Sequence, residues 1–148
     1  MLPSTLLHAR RPPINLRLLC PARRTFLTTA RRDVQIHNAD AETFKKAIAK
    51  ENSQGKVVLV DFYADWCGPC KMLSPVLEKL TRDSDTLKTG SGRALDLVTI
   101  DTDTQTDLAQ SYNVRSLPTV VAFKDGAIAG QFIGALNEAG VRKFVAGL

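Results

Sequence analysis

The order of the predicted elements indicates an α/β domain with a central mixed β-sheet of about five strands flanked by four helices. Strand-like and helix-like segments alternate through most of the domain, and the last two strands are separated by only a short turn. Strands joined through helices pair in parallel, whereas strands joined by a short turn pair antiparallel. Residues 57–63 are almost wholly apolar, as expected for a central strand that is covered on both faces.

The first two strand–helix units are predicted from the spacing of apolar residues. Val34 and Ile36 alternate with polar residues as a short strand, and Asp40 is suited to cap the helix that follows. One face of that helix is apolar: Phe44, Ala47 and Ile48. After the strand at 57–63, a second helix carries apolar residues at helical spacing: Met72, Leu73, Val76, Leu77 and Leu80.

A polar interval separates this helix from the third strand. Residues 81–94 contain Gly90 and Gly92, which predicts a helix end followed by a flexible surface loop. Residues 95–100 are predicted to form the third strand. A short helix with three apolar residues follows: Leu108, Ala109 and Tyr112.

The last part of the domain is predicted to be a β-hairpin and a final helix. Asp125-Gly126 favours positive φ at both positions, so strands at 119–123 and 127–133 should pair antiparallel across it. Asn137 is suited to cap the final helix. Its apolar residues are Val141, Phe144 and Val145.

The positive charge of the chain is concentrated in its first 33 residues. The formal net charge is +5, yet residues 1–33 hold seven arginines and one acid, while 13 basic residues face 14 acidic ones from residue 34 onward. The folded domain is therefore nearly neutral, and no nucleic-acid partner is expected. No run of 18 apolar residues occurs, so no membrane span is predicted.

Residues 1–33 are predicted to be a mitochondrial targeting presequence, cleaved and disordered, and residues 34–148 the folded domain. The segment is rich in Arg, Leu, Ser and Thr, and prolines interrupt it. Residues 24–29 resemble the Arg-x-Phe-x-x-Ser/Thr pattern of two-step processing in the mitochondrial matrix, which would leave Val34 as the new N-terminus. The alternative is a basic extension that stays attached to the domain.

Cys67 and Cys70 are the candidate reactive groups. They lie two residues apart where the strand at 57–63 gives way to a helix, and Gly68 and Pro69 suit the tight first turn. The unpaired N–H groups and the dipole of a helix N-terminus favour an anion, so the pKa of Cys67 should lie below the usual value of about 8.5. Cys67 is then the nucleophile, and Cys70 resolves the mixed disulfide and leaves Cys67 and Cys70 joined.

The dithiol and its surroundings resemble thioredoxin over nearly the whole domain. Residues 60–71, which include Trp66-Cys67-Gly68-Pro69-Cys70-Lys71, are similar to the active-site segment of that family. Further matching positions are Pro75, Leu117-Pro118-Thr119, Lys124-Asp125-Gly126 and Gly134. The resemblance implies the thioredoxin fold and protein-disulfide oxidoreductase activity, and the Gly-Pro pair between the cysteines is similar to that of the reducing members.

The resemblance also implies roles for residues around the dithiol. Asp61 would accept the proton of Cys70 through water, whereas the residues alone leave open an Asp that meets solvent at a strand end. Pro118 would be cis beside the dithiol, with the backbone of Leu117 available to an extended peptide. Trp66 would be an exposed contact, the alternative being a core aromatic. The implied substrate-binding surface is Trp66, Gly68, Pro69, Leu117, Pro118 and Gly134.

The implied partners are protein disulfides and an NADPH-dependent flavoprotein, thioredoxin reductase, acting on a monomer in the mitochondrial matrix. No bound cofactor is expected, because the dithiol itself carries two electrons. Two departures from the family stand out: Leu97 occupies a position where many members have lysine, and the polar loop at 83–93 is longer than in compact members.

Two other uses of the cysteines remain to be weighed. Cys-x-x-Cys is half of a structural zinc site, but the domain offers only His37 as a further ligand of the usual kind, and zinc takes four. A structural disulfide or a purely binding role is the second alternative. A disulfide that closes so short a loop restrains little of the unfolded chain, so a redox role is favoured.

Overall fold

The computed structural model describes residues 34–83 and 88–148, and the predicted presequence lies outside these ranges. The elements, in chain order, are β1 Gln35–Ile36, α1 Ala41–Ile48, α2 Lys50–Ser53, β2 Val57–Tyr63, α3 Gly68–Arg82, β3 Leu95–Asp101, α4 Thr106–Ser111, β4 Thr119–Lys124, β5 Ala127–Ile133 and α5 Glu138–Ala146. Within the described ranges, no helix is long and apolar enough to cross a membrane.

The five strands form one mixed sheet in the order β1-β3-β2-β4-β5. β3 runs parallel to both β1 and β2, while β4 is antiparallel to β2 and to β5. The predicted mixed sheet with a central apolar strand is therefore confirmed. Because β2 and β3 are parallel neighbours, the loops that follow their carboxyl ends meet at one edge of the sheet, and the dithiol lies on one of these loops.

Helices cover both faces of the sheet, and β2 alternates between two cores. Val58, Val60 and Phe62 pack in a cluster with residues of α1 and α4. Val57 and Leu59 pack on the opposite side with residues of α3 and α5. All of these β2 side chains are at most 1% exposed, which explains why the strand is apolar along nearly its whole length.

The described part of the chain contains five helices where the sequence predicts four. The additional helix is the short α2, which the sequence analysis did not predict and which follows a break at Ala49, whose ψ of 136° is extended rather than helical. α1 ends there, with the Ala49 N–H donating to the Lys45 carbonyl, and the short α2 follows. Neither Gly nor Pro marks the break, so the spacing of apolar residues did not indicate it.

The predicted helix caps and the predicted hairpin are confirmed. The side-chain oxygens of Asp40 and Asn137 accept hydrogen bonds from the N–H groups of Thr43 and Gly140, each at 2.8 Å. At the tip of the hairpin, φ is +54° at Asp125 and +83° at the glycine after it, as the Asp-Gly pair predicts. These elements were predictable because their determinants are local.

Residues 88–93 differ from the flexible surface loop that the sequence predicts. The Gly90 N–H donates to the Val145 carbonyl at 3.4 Å and the Ser91 N–H to the Leu148 carbonyl at 3.1 Å. Thr89 is buried, and its hydroxyl accepts a hydrogen bond from the backbone N–H of residue 93 at 3.0 Å. This part of the connection is therefore packed against the end of α5.

An ion pair between Arg93 and Asp125 holds the same connection to the hairpin. Arg93 Nη1 lies 2.9 Å from each carboxylate oxygen of Asp125. The hydrogen bond from Arg93, followed by its positive charge, lowers the pKa of Asp125 below its ordinary value. Residues that are far apart in sequence thus fix a segment whose composition alone resembles an unstructured loop.

Candidate active site

The dithiol lies at the junction of β2 and α3, as the sequence predicts. Cys67 and Cys70 are joined by a disulfide bond, and Cys67 is the N-cap residue of α3. The Cys67 sulfur accepts a hydrogen bond from the backbone N–H of Cys70 at 3.2 Å. Gly68 and Pro69 are the first two helical residues, where the missing N–H of proline has no cost. This N–H donor and the helix dipole would both favour a thiolate on Cys67 after reduction.

The two sulfurs lie in a small apolar cluster. Cys67 is 4% exposed and Cys70 1%, so Cys70 lies slightly deeper than Cys67. Ala64 completes the buried part of the cluster, and Tyr63 and Leu117 pack against it. Only a small part of the cysteine surface is open to an incoming disulfide, on the side of Cys67.

Asp61 is a fully buried carboxyl group in β2. Its exposure is 0%, and neither carboxylate oxygen has a hydrogen-bond partner among the described residues. Burial raises the pKa of Asp61 to about 7, because the apolar surroundings disfavour the charged form. The alternative of a strand-end Asp in contact with solvent is therefore wrong.

Leu97 is an apolar residue on the side of the sheet toward which Asp61 also points. It is 0% exposed, pairs in register with Leu59 across β2 and β3, and belongs to the core cluster on that side of the sheet. Burial is the cause of the raised pKa of Asp61, with no contribution from a charged neighbour. The carboxyl group is consequently poised to gain or lose a proton near neutral pH.

The surface beside the dithiol includes Leu117, which packs against the cysteine cluster, while the adjoining Pro118 is buried. The Leu117–Pro118 peptide bond is cis, as the resemblance to thioredoxin implies. The Gly134 N–H donates to the Pro118 carbonyl at 2.8 Å, which brings the end of β5 to this surface. The N–H and C=O groups of Leu117 make no hydrogen bond within the described residues, so they are available to an extended peptide.

Two glycines leave this surface open. A Cβ atom built on Gly68 or on Gly134 would meet no atom within 4 Å. Gly134 has φ of +91°, a conformation that residues with side chains rarely adopt. Both positions therefore keep the approach to the disulfide free, and their contact with substrate stays a prediction.

Trp66 is 71% exposed, so the alternative of a core aromatic is wrong. Its indole N–H donates to Asp103 Oδ2 at 2.9 Å, and the Asp103 N–H in turn donates to Asp101 Oδ1 at 2.9 Å. The sequence analysis did not identify Asp103. It follows the carboxyl end of β3, and the parallel pairing of β3 with β2 was the signal that would have placed it beside Trp66.

A second polar contact at this edge was also missed. The Tyr63 hydroxyl donates to the side-chain oxygen of Asn38, and Thr102 Oγ1 donates to the Tyr63 carbonyl at 3.1 Å. Burial raises the pKa of Tyr63, and the charge of Asp101 adds to the effect. These contacts fix the end of β2 just before the dithiol.

Among residues 34–83 and 88–148, no group of three or more His, Cys, Asp or Glu side chains is placed to hold a metal ion. The zinc alternative therefore gains no further ligands from this part of the fold. What the site brings together is a disulfide at a helix N-terminus, a buried acid of raised pKa and a peptide segment with free hydrogen-bonding groups. Such a set is suited to thiol–disulfide exchange with an extended polypeptide.

Comparison with known proteins gives consistent matches. A protein-family model described as Thioredoxin matches residues 35–147. The mitochondrial thioredoxin of Rattus norvegicus is 37% identical over 122 residues, which cover 82% of this chain and 68% of that protein. The thioredoxin of Staphylococcus haemolyticus is 45% identical over 84 residues, or 57% of this chain and 74% of that protein.

Solved structures agree with these matches. A mutant thioredoxin from Halobacterium salinarum superposes with a TM-score of 0.64 and 34% sequence identity, covering 79% of this chain and 92% of that one. The range matched by the family model includes the disulfide, Asp61, Trp66 and the cis Pro118.

Proposed function

The chain belongs to the thioredoxin family of disulfide oxidoreductases and has the thioredoxin fold, and from this premise we propose that it is a mitochondrial protein-disulfide reductase. The observation that carries the proposal is the disulfide at the N-terminus of α3, with the buried Asp61 in the adjoining strand. Its substrates are disulfides in proteins.

The first step is attack by the Cys67 thiolate on a substrate disulfide. A bond forms between Cys67 Sγ and one substrate sulfur, and the other substrate sulfur leaves as a thiolate. The Cys70 N–H and the helix dipole stabilise the attacking thiolate. The free N–H and C=O groups of Leu117 bind the substrate backbone as an added strand.

The second step is attack by Cys70 on the mixed disulfide. Cys70 loses its proton to Asp61 through water, its sulfur bonds to Cys67 Sγ, and the second substrate sulfur leaves as a thiolate. The substrate has gained two electrons, and Cys67 and Cys70 are again joined. With a pKa of about 7, Asp61 can accept this proton and return it near neutral pH.

The direction of transfer is reduction of the substrate. The Gly68-Pro69 pair resembles that of the reducing members of the family, and an NADPH-dependent flavoprotein, thioredoxin reductase, supplies the electrons that regenerate the dithiol. The protein binds no cofactor of its own and acts as a monomer. A reduction potential of the Cys67–Cys70 pair near the oxidant end, about −120 mV, would replace reductase by oxidase.

The two-thiol mechanism is tested by replacing one cysteine at a time. Cys70→Ser should accumulate a mixed disulfide between Cys67 and the substrate, visible as a covalent adduct that dithiothreitol releases. Cys67→Ser is the matched control and should form no adduct. If Cys70→Ser still reduced insulin with repeated turnover, resolution by Cys70 would be wrong.

The mitochondrial location rests on residues 1–33. Their arginines, lack of lysine and single acid are typical of a presequence, and the similarity to the mitochondrial thioredoxin of Rattus norvegicus supports it. A reporter carrying residues 1–33 should enter the mitochondrial matrix, and the mature protein should begin at Val34. A reporter with the arginines of this segment replaced by glutamines is the control and should stay outside.

A further inference from the structure

A cleft opens directly beside the dithiol. Its volume is about 250 Å³, and its lining includes Trp66, Thr102 and the segment 114–117. Leu117 belongs to both the cleft and the apolar cluster around Cys67 and Cys70. A polypeptide that brings its disulfide to Cys67 would therefore pass over this cleft.

Arg115 gives the cleft a positive charge. It is exposed, lines the cleft and makes no ion pair or hydrogen bond with any residue in the described ranges. The other three arginines of these ranges have carboxylate partners: Arg82 with Glu78, Arg93 with Asp125 and Arg142 with Glu138. Among the four arginines of the described ranges, Arg115 is therefore the one whose guanidinium is available to a ligand.

The exposed Asp103 does not neutralise it. Asp103 also lies at this edge of the sheet, but its Oδ2 accepts the Trp66 indole N–H, and no ion pair joins it to Arg115. The segment that carries Arg115 is held at both ends. The Val114 N–H donates to the Ala109 carbonyl at 3.0 Å, and the hydroxyl of residue 119 donates to the carbonyl of residue 116 at 2.7 Å.

We propose that this cleft is a subsite for an acidic side chain of the substrate, with Arg115 as a specificity-determining residue. The inference rests on the proposed function and names the substrate class: disulfides in which one cysteine is flanked by Glu or Asp. A guanidinium pairs with a carboxylate through two parallel N–H···O bonds, and the flat face of Trp66 covers the hydrocarbon part of the side chain. The free backbone groups of Leu117, two residues away, hold the substrate in register.

The test uses two peptide disulfides that differ only by Glu or Gln next to the cysteine. The full chain is reduced beforehand and mixed with excess peptide, and the second-order rate of its oxidation is measured by mass after alkylation. At low ionic strength we expect the Glu peptide to react about threefold faster, as for an exposed ion pair. Arg115→Gln should remove the preference, Arg115→Glu should reverse it, and about 0.5 M salt should weaken it.

Arg82→Gln is the matched control, because it removes the same charge at the far end of α3. It should keep the preference for Glu. Equal rates for the two peptides, or a preference that survives in Arg115→Gln, would overturn the inference while leaving the disulfide reductase intact. Failure of the reduced protein to react with either peptide would instead overturn the proposed function.

Discussion

At the scale of single residues, the burial of Asp61 opposes folding, because within residues 34–83 and 88–148 its oxygens are the buried side-chain polar atoms that lack a hydrogen bond. This carboxyl group is 0% exposed. An apolar residue at the same position would stabilise the fold more. In the proposed mechanism, this carboxyl group exchanges a proton with Cys70. That role would account for a group that lowers stability but titrates near neutral pH.

Replacing Asp61 by Asn should make the oxidised protein more stable at neutral pH. The pKa of Asp61 is about 7 in the folded protein, against an ordinary value of 3.8. As the pH rises above that ordinary value, the Asp61 carboxyl group loses its proton in the unfolded chain but keeps it in the folded protein. The free energy of unfolding of the wild type therefore falls between about pH 4 and 7 and then levels off. The variant lacks this titration.

The gain in free energy of unfolding for Asp61→Asn should grow by about 2–4 kcal/mol between about pH 4 and pH 8, measured by urea unfolding. Asp65→Asn, which removes an exposed carboxylate nearby, is the control and should change stability little at either pH. A constant difference between Asp61→Asn and wild type across this range would show that Asp61 does not have a raised pKa.

Asp103 should act by holding Trp66. Asp103→Ala removes the acceptor of the indole hydrogen bond, so the ring loses one fixed orientation. We expect KM for a protein disulfide to rise up to about fivefold with kcat unchanged, since an exposed bond of this kind is worth about 1 kcal/mol. Asp107→Ala, an exposed acid in the following helix, should leave both constants as they are. A fall in kcat with KM unchanged would contradict this positioning role.

At the scale of elements, local patterns predicted what local forces determine. The apolar residues of β2, the Asp40 and Asn137 caps and the Asp125-Gly126 turn each depend on neighbours in sequence, and each was found where expected. The division of α1 from α2 at Ala49 was missed because nothing in its residue type opposes a helix.

The connection at 88–93 was misread for a different reason. Its polar and glycine-rich sequence is typical of a loop, but its conformation depends on α5 and on the hairpin, which lie far away in sequence. Asp103 was missed on the same ground, since only the pairing of β3 with β2 brings it to Trp66. Contacts of this kind are set by the tertiary fold and have no local signature.

Gly90 should be intolerant of a side chain. A Cβ atom at this position would lie 2.2 Å from the carbonyl oxygen of Ala146, so the connection and the end of α5 would have to separate. We expect Gly90→Ala to lower the free energy of unfolding by about 1–3 kcal/mol, measured by thermal or urea unfolding.

Ser91→Ala serves as the control for Gly90→Ala. It removes a hydroxyl of the same connection but keeps the backbone N–H that donates to Leu148, so its effect should be below about 1 kcal/mol. Equal stability of Gly90→Ala and wild type would mean that the connection at 88–93 is not packed against α5.

At the scale of the whole molecule, charge divides the chain at residue 33. The complete chain has a formal net charge of +5, whereas residues 34–148 alone have 13 basic and 14 acidic residues. We expect the complete chain to bind a cation-exchange resin at neutral pH and low salt, and a fragment of residues 34–148 to pass through it. A variant of the complete chain with the seven arginines of residues 1–33 replaced by glutamines should also pass through. Retention of the fragment would show that a basic surface lies on the domain itself.

The mixed character of the sheet and the central place of its most apolar strand were predictable, whereas the order of the strands was not predicted. The crossover through α3 indicated the parallel β2–β3 pair and the Asp-Gly turn the antiparallel β4–β5 pair, but β3 and β4 are also joined through a helix and are not neighbours in the sheet. The position of the active site followed from the same topology, because the Cys67–Cys70 pair comes directly after that strand. The charge of the cleft at Arg115 could not be predicted, since its lack of a partner within the described ranges is a property of the folded surface.

The exposure of Trp66 has one more consequence, which concerns light rather than binding. It is the only tryptophan in the chain, it is 71% exposed, and its neighbour in sequence is half of the disulfide. Disulfides quench the excited state of a nearby indole by accepting an electron from it. The emission of this single ring is therefore a label-free measure of how many molecules in a sample are oxidised at any moment.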